Sequence, residues 1–331
     1  MIKKNIALVA GGYSGEYEVS IKSAQNIERE LDKNLYNVYK IIIDSQNWYY
    51  VDEKYNQVLI DRNNFSLPLS TGAVKFDAAF ITIHGTPGED GKLQGYFDLL
   101  CIPYNTCNTT TAAITMNKAY TKAIVKDIDN LFIAKSLTLF INENYNSNTL
   151  LQNLKLPLFI KPNNGGSSVG MSKVICSSDL DFAIKKAFDE DNQILIEEFI
   201  AGREFSIGLA KINGKLIVLP ATEIISSKDF FDYEAKYTPG ISQEITPANL
   251  SQTQYDIITN IVTNVYQVLD CKGMVRVDFI LQENTNQFYF IEINTTPGQS
   301  ENSLIPQQLR AAGLNVGSFY GSLIEECLKP C

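Results

Sequence analysis

A single histidine, His84, stands in a chain of 331 residues. That scarcity excludes a multi-histidine metal centre, and it leaves one residue that could act as base to a serine or cysteine nucleophile, which argues against most hydrolase chemistry. Cysteine carries no pattern either. Cys101, Cys107, Cys176, Cys271, Cys327 and Cys331 lack paired zinc-type spacing, and in a chain this long they point to reduced thiols and not to a disulfide scaffold. Positive charge is in deficit, with 28 Lys and Arg against 37 Asp and Glu and a net charge of −9. There is then no general attraction to phosphate backbones or anionic membranes, and neither nucleic acid nor membrane is an expected partner. No apolar run reaches membrane-spanning length, and the one that ends at Gly11-Gly12 is too short for a signal segment. A cytoplasmic protein is the expectation.

What is present is ample apolar content, 45% of residues, enough for two or three packed domains. The first hundred residues alternate strand signals (6–10, 38–43 and 78–83) with a helical pattern over 19–31, which predicts a mostly parallel sheet with helices on its faces. Residues 99–103 read as the last strand of that unit, and the polar run 105–111 as a boundary. A helix over 115–126 is expected next, then a smaller α/β segment with strands at 158–161 and 194–197. Beyond Glu198 the chain turns strand-rich, and Asn213-Gly214 predicts a hairpin between 205–210 and 216–219. The fold class is therefore α/β, with an α+β C-terminal half. Residues 226–247 form a long polar and aromatic stretch without periodicity, whose Phe230, Phe231, Tyr233 and Tyr237 favour a lid over disorder.

The most informative pattern lies in two strand-like runs, 275–280 and 288–294. Alternate residues of a strand share a face, so Arg276 falls with Asp278 and Glu292 with Asn294. The turn-rich linker 283–287 suggests an antiparallel hairpin. Symmetry about Thr285 sets Asp278 opposite Glu292 and Arg276 opposite Asn294, with Cβ atoms about 5 Å apart. Two facing carboxylates repel unless a cation lies between them, and Mg²⁺ takes one or two carboxylates while leaving positions for water and phosphates. The face reads as a nucleotide-metal platform; a strand pair with a solvated outer face is the alternative.

Three loops add to it. Lys161-Pro-Asn-Asn-Gly-Gly-Ser167-Ser168-Val-Gly170 joins two strand-like segments and can lay backbone N–H groups over phosphates, although the Gly-Lys-Ser/Thr ending of a P-loop is absent. Gly11-Gly-Tyr-Ser-Gly-Glu16 follows a strand and precedes a helix, where doubly wound sheets bind ligands. It does not match G-x-G-x-x-G, and it fits a tight turn that presents Glu16 to a cationic group. The block beginning at His84 also follows a strand, which places the histidine either at that sheet edge or in a solvated loop.

Taken in order, these blocks resemble the D-alanine:D-alanine ligases of the ATP-grasp superfamily. The resemblance runs through Gly11-Gly-Tyr-Ser-Gly-Glu16-Tyr-Glu-Val-Ser20, His84-Gly-Thr-Pro-Gly-Glu-Asp-Gly-Lys-Leu-Gln-Gly95, Met116-Asn-Lys118, residues 161–170, Tyr233-Glu-Ala-Lys236-Tyr237, Arg276-Val-Asp278 and Glu292-Ile-Asn294-Thr-Thr-Pro-Gly298. It implies an ATP-grasp fold with an N-terminal parallel-sheet substrate domain (1–106), a central subdomain (107–197) and a C-terminal subdomain (198–331) carrying the lid. ATP would lie between the last two, with Lys118, Lys161 and Lys236 on its phosphates and Ser168 beside them. Glu197, Glu198, Phe199 and Ile200 would line the adenine pocket, and Glu204 would hold the ribose. Asp278, Glu292 and Asn294 would hold two Mg²⁺ ions, with Mn²⁺ as an alternative.

The resemblance implies that the carboxylate of a first D-alanine attacks the γ-phosphate, and that the amine of a second D-alanine then displaces phosphate from the acyl phosphate. Such chemistry needs positioning and charge neutralisation more than a strong nucleophile. Glu16 would receive the first ammonium and His84 would lie near the first carboxylate, while Arg276 and the Gly298 N–H would stabilise the oxyanion. Ser303 and Leu304 would meet the second carboxylate, and Ser167 would link Glu16 to Tyr237. Gln299-Ser300 departs from the Met-Thr common in the family, which bears on the second-substrate pocket. A homodimer is implied as well. Rival readings are ligases of the same superfamily making D-alanyl-D-lactate or D-alanyl-D-serine, another carboxylate-amine ligase, or a catalytically silent nucleotide-binding module.

Overall fold

The computed structural model describes residues 2–52, 54, 56–166, 168–226 and 242–329. Its first sheet has five strands in the spatial order Gln57–Leu59, Trp48–Val51, Tyr36–Ile43, Lys4–Gly11 and Ala78–Ile81. The apolar run within Lys4–Gly11 explains its inner place, since a strand flanked on both edges and both faces must be largely apolar. It pairs in parallel with Tyr36–Ile43 and Ala78–Ile81, and the remaining edge is antiparallel. Gly11 and Gly12 end this strand with φ of +100° and +107°. A Cβ on Gly11 would lie 2.4 Å from Ile43 O, and one on Gly12 2.6 Å from Ile83 Cγ2, so only glycine lets the chain leave the sheet here and enter the helix Tyr17–Glu30.

The second sheet is antiparallel, in the order Ser172–Val174, Leu158–Pro162, Gln193–Glu198 and Ser136–Phe140. The third holds seven strands, with Arg203–Ile212, Met274–Gln282 and Gln287–Asn294 at its centre. Its core is closed by the helix Gln252–Val268, which begins in a capping box between Ser251 and Gln254 and buries Ile258, Ile261, Val262 and Val265 at helical spacing. Each such side chain contributes roughly 1.5–3 kcal/mol of burial. The C-terminal helices Leu304–Ala311 and Val316–Cys327 turn back onto the first sheet, where Ile305, Leu309, Phe319 and Tyr320 share one core with Leu8, Ile27 and Phe80.

Two expected elements are corrected. Residues 99–103 are not a strand: the chain forms the helix Lys92–Leu99, Leu99 is exposed, and the sheet is extended only by a bridge from Ala79 to Tyr104. The apolar residues there belong to a helix end and a return loop, a case that periodicity cannot separate from a short strand. The helix expected over 115–126 is two helices, Thr109–Met116 and Lys118–Val125, broken at Asn117, whose side chain accepts from Tyr120 N and so caps the second.

The hairpin register holds where it matters. Arg276 faces Asn294 and Asp278 faces Glu292, as symmetry about Thr285 requires. Nearer the turn Phe279 faces Phe290 and Gln282 faces Gln287, a register shifted by one. Ile291 is the extra residue, a bulge that restores the symmetric pairing at the platform.

Candidate active site

The three sheets face a common cleft of about 1140 Å³. On its floor Asp278 is buried, and Arg276 binds it through two bonds, Nε to Oδ1 at 3.0 Å and Nη2 to Oδ2 at 2.8 Å. Ser206, opposite on Arg203–Ile212, donates to Oδ1 at 2.6 Å. Burial works against the Arg276 charge, but Asp278 and Glu292 outweigh it and raise the guanidinium pKa further. The sequence reading placed a foreign cation between Asp278 and Glu292; the chain's own Arg276 and Lys118 already sit beside them. Lys118 Nζ lies 3.4 Å from Glu292 Oε2 and also donates to Gly165 O in the glycine-rich turn. Asn294 Oδ1 accepts from Thr296 N at 3.0 Å.

Among the described residues, no group of three or more His, Cys, Asp or Glu is arranged to hold a metal ion. Two carboxylates and an amide on one sheet face nonetheless suit Mg²⁺, an ion that completes its shell with water and phosphate oxygens instead of a protein cage.

Above the floor stands a buried ion cluster. Lys161 Nζ is 2.5 Å from Glu197 Oε1, and Lys122 Nζ pairs with Glu197 Oε2. Burial would raise the Glu197 carboxyl, yet Lys122 and Lys161 hold it down at about 2. Burial lowers Lys122, Glu197 opposes, and the neighbouring Lys161 and Lys118 ammoniums leave it at about 8. Next to this cluster Phe199, Ile200, Phe159 and Ile280 form an apolar wall, with Phe159 and Phe199 edge to face at 5.6 Å and Lys173 Nζ 4.2 Å from the Phe199 ring centre. Such a wall accepts a flat aromatic ring. Glu204 and Ser168 also line the cleft, whereas the Glu198 carboxylate does not. Strand alternation turns it outward, where it accepts from Lys155 N at 2.9 Å.

Glu16 opens the helix Tyr17–Glu30 at the opposite end of the cleft. The glycine-rich turn reaches it: a Cβ on Gly166 would lie 3.1 Å from Glu16 Oε2. His84 is 3% exposed, which rules out the solvated-loop alternative. Burial lowers its pKa against the pull of Glu16, and its Nε2 is buried without a hydrogen-bond partner. Glu89 accepts from Gly85 N at 2.7 Å and from Thr296 N at 3.0 Å. It keeps some surface, but the surrounding protein pushes its carboxyl up to about 8, with the Glu16 charge adding to the effect and the two backbone N–H groups opposing it.

Gly298 approaches Ser303 so closely that a Cβ on it would lie 3.0 Å from Ser303 Oγ, and Ser303 shares a hydrogen bond with Ser300 at 2.7 Å. Leu304 begins the next helix and lines the cleft. The departure at Gln299 proves self-consistent. Its side chain, 2% exposed, donates to Pro297 O and accepts from Tyr320 Oη, while Ser23 and Asn26 hold its backbone.

The structure thus gathers Glu16, His84, Lys118, Lys161, Ser168, Glu197, Phe199, Ile200, Glu204, Arg276, Asp278, Glu292, Asn294, Gly298, Ser303 and Leu304 around one cleft. Ser167, Lys236 and Tyr237, with residues 227–241 of the expected lid, lie outside the described residues. Sequence reasoning missed Lys122 and Glu89. Lys122 carried a signal, four residues after Lys118 on one helix face; Glu89 sat inside the His84 block, but nothing in its spacing marked it.

A cleft with lysines over a paired-carboxylate floor, set between an antiparallel sheet and a largely antiparallel one and beside an α/β unit, is the arrangement of an ATP-grasp ligase. Comparison with known proteins narrows this. The family model described as D-ala D-ala ligase C-terminus matches residues 132–326, and the one described as D-ala D-ala ligase N-terminus matches 5–107. The chain belongs to the D-alanine–D-alanine ligase family. D-alanine--D-alanine ligase from Parabacteroides distasonis is 43% identical over 328 residues, covering 99% of this chain and 98% of that protein. The same enzyme from Phocaeicola vulgatus is 43% identical over 324 residues, 98% of this chain and 99% of that one. Among solved structures, D-alanyl-alanine synthetase A from Vibrio cholerae superposes with a TM-score of 0.89 at 28% identity, covering 99% of each chain. The VanG D-Ala:D-Ser ligase from Enterococcus faecalis superposes with a TM-score of 0.88 at 33% identity, covering 98% of this chain and all of that one. Among the described residues no helix is long and apolar enough to cross a membrane.

Proposed function

We propose that the protein joins two D-alanine molecules to D-alanyl-D-alanine at the expense of ATP, for peptidoglycan precursor synthesis. The observation that carries this reading is the meeting, in one cleft, of a cationic wall, a carboxylate floor and the Glu16–His84 end. Lys118 and Lys161 bind the phosphates, and the apolar wall of Phe199 and Ile200 takes the adenine ring. Asp278, Glu292 and Asn294 hold the divalent metal, Mg²⁺ or Mn²⁺, which supplies charge neutralisation at the transferring phosphoryl group. Glu16 binds the first ammonium. With its Nε2 carrying a proton, His84 donates from that nitrogen to the first carboxylate, which gives it the partner it lacks within the chain.

Arg276 and Gly298 N–H stabilise the oxyanion that forms when the second amine attacks, and Ser303 with the first turn of its helix receives the second carboxylate. Lys236 and Tyr237 enter only through the sequence resemblance, Lys236 toward the phosphates and Tyr237, through Ser167, over the second substrate. A neutral phenol offers no charge that would attract a lactate carboxylate, so D-alanine is the preferred acceptor near neutral pH. The test is phosphate release from ATP with and without D-alanine, followed by mass spectrometry of products when D-alanine, D-lactate and D-serine compete. Dominant depsipeptide or D-alanyl-D-serine would overturn the acceptor assignment, and ATP turnover independent of D-alanine would overturn the reaction.

A further inference from the structure

Lys122 is 5% exposed on the helix Lys118–Val125, one turn beyond Lys118. Its ammonium meets Glu197 from one side while Lys161 meets the same carboxylate from the other. One carboxylate therefore answers two buried ammoniums, with a third, Lys118, close enough to act on Lys122. As a stabilising device this is poor. A buried carboxylate and one ammonium already form a neutral pair, and a second buried cation adds desolvation and like-charge repulsion that the pair does not need. The surplus becomes useful only when an anion arrives.

We propose that Lys122 is a positioning residue for the nucleotide: by neutralising Glu197 from behind, it leaves the Lys161 ammonium with uncancelled charge toward the triphosphate and holds Glu197 in place beside the adenine wall. The proposal rests on the reading that Lys118 and Lys161 bind the phosphates. Without Lys122, Glu197 and Lys161 would form a closed neutral pair, and the wall would lose a full unit of positive charge. The downward push on the Lys122 proton is the counterpart of the same frustration, an ammonium held where burial and two like charges disfavour it.

Steady-state kinetics on the full chain separate the possibilities. Lys122→Met retains the Glu197–Lys161 pair and so should fold. It should raise KM for ATP about tenfold or more, as loss of one buried unit charge near a polyanion implies, and leave KM for D-alanine within about twofold. Lys122→Arg keeps the charge and should recover most of the ATP affinity. Lys161→Met is the control on the underlying reading. If Lys161→Met raises KM for ATP and Lys122→Met does not, the proposal falls while the phosphate assignment stands; if neither changes it, both fall. Equal losses in both substrates with a lowered Tm, unrescued by arginine, would make Lys122 a structural buttress and overturn the proposal.

Discussion

Glu89→Gln is the sharpest probe of how the substrate end of the cleft is held together. The side chain joins two loops distant in sequence, accepting from Gly85 N at 2.7 Å, next to His84, and from Thr296 N at 3.0 Å, two residues before Gly298. Glutamine has the same shape but can accept only on its oxygen. It should keep the shorter bond to Gly85 and turn its NH₂ toward Thr296, whose N–H retains Asn294 Oδ1 as a partner. Measured against the ionised carboxylate, at pH above its folded pKa of about 8, losing one bond to a polar backbone group and facing two donors together costs about 2 kcal/mol. In a chain of this size that lowers the apparent Tm on the order of 4 °C. A shift of the Thr296–Gly298 loop by a fraction of an ångström should reduce kcat/KM for D-alanine about 10- to 100-fold, with KM for ATP little changed.

The same residue sets a pH signature. Its folded pKa of about 8 exceeds the ordinary 4.5, so the folded state binds a proton that the unfolded state releases. The stability it confers is full below pH 4.5 and is lost as pH rises toward 8. Thermal denaturation across that window should show a falling slope in the wild type that is flatter in Glu89→Gln. A variant with unchanged D-alanine kinetics and an unchanged slope would refute the reasoning.

Removing divalent metal with EDTA should abolish turnover without unfolding the chain by circular dichroism, and Mg²⁺ or Mn²⁺ should restore it. Glu292→Ala should nearly abolish activity in a folded protein. Asp278→Ala should do so at an added cost of about 1–3 kcal/mol, because the half-buried Arg276 loses its bidentate partner; full turnover by either at ordinary Mg²⁺ would sink the metal assignment. Asn294→Ala should be milder, since an amide brings a ligand but no charge. Glu197, held at about 2 against an ordinary 4.5, should add stability that is present above pH 4.5 and lost as pH falls toward 2. Acid unfolding of Glu197→Gln is expected to lack that component.

The platform was legible because strand alternation and a short turn fix which residues meet, and both are local properties. Even so, the pairing of Asp278 with Glu292 relies on the bulge at Ile291, which no apolar pattern announces. Glycine-rich turns following strands marked Glu16, His84 and the 161–170 loop correctly as cleft residues, since backbone freedom is needed where a sheet gives way to a site. What the sequence could not show were contacts between distant segments. Lys122 with Glu197 and Glu89 with Thr296 each join segments far apart in the chain, and a charged residue on a helix or in a loop reads as solvated until its partner is known. At Glu198 strand alternation turns the side chain away from the cleft, so only its backbone is left on the pocket side.

These distant contacts explain how one reaction can be run by groups from three sheets. The loop 295–303 is continuous with the platform strand Gln287–Asn294, so it belongs to the third sheet by connectivity. It is nevertheless fixed to the N-terminal unit through Glu89 to Thr296, Ser23 and Asn26 to Gln299, and the core that Tyr320 shares with Phe80. Substrate-facing groups on the first sheet and the carboxylate floor on the third are therefore held in one frame. The second sheet is tied to that frame through Lys118 to Glu292, and to the helix Lys118–Val125 and its cap through Lys118 N and Ala119 N to Asn163, Asn117 to Gln193 and Lys122 to Glu197. The Lys118–Glu292 pair is one that a polyanion would compete for, because phosphate oxygens and the Glu292 carboxylate seek the same ammonium. On the proposed assignment, the wall facing the nucleotide is thus a part whose seating nucleotide itself can change, while the Glu16–His84 end is fixed to the third sheet through Glu89 and Gln299.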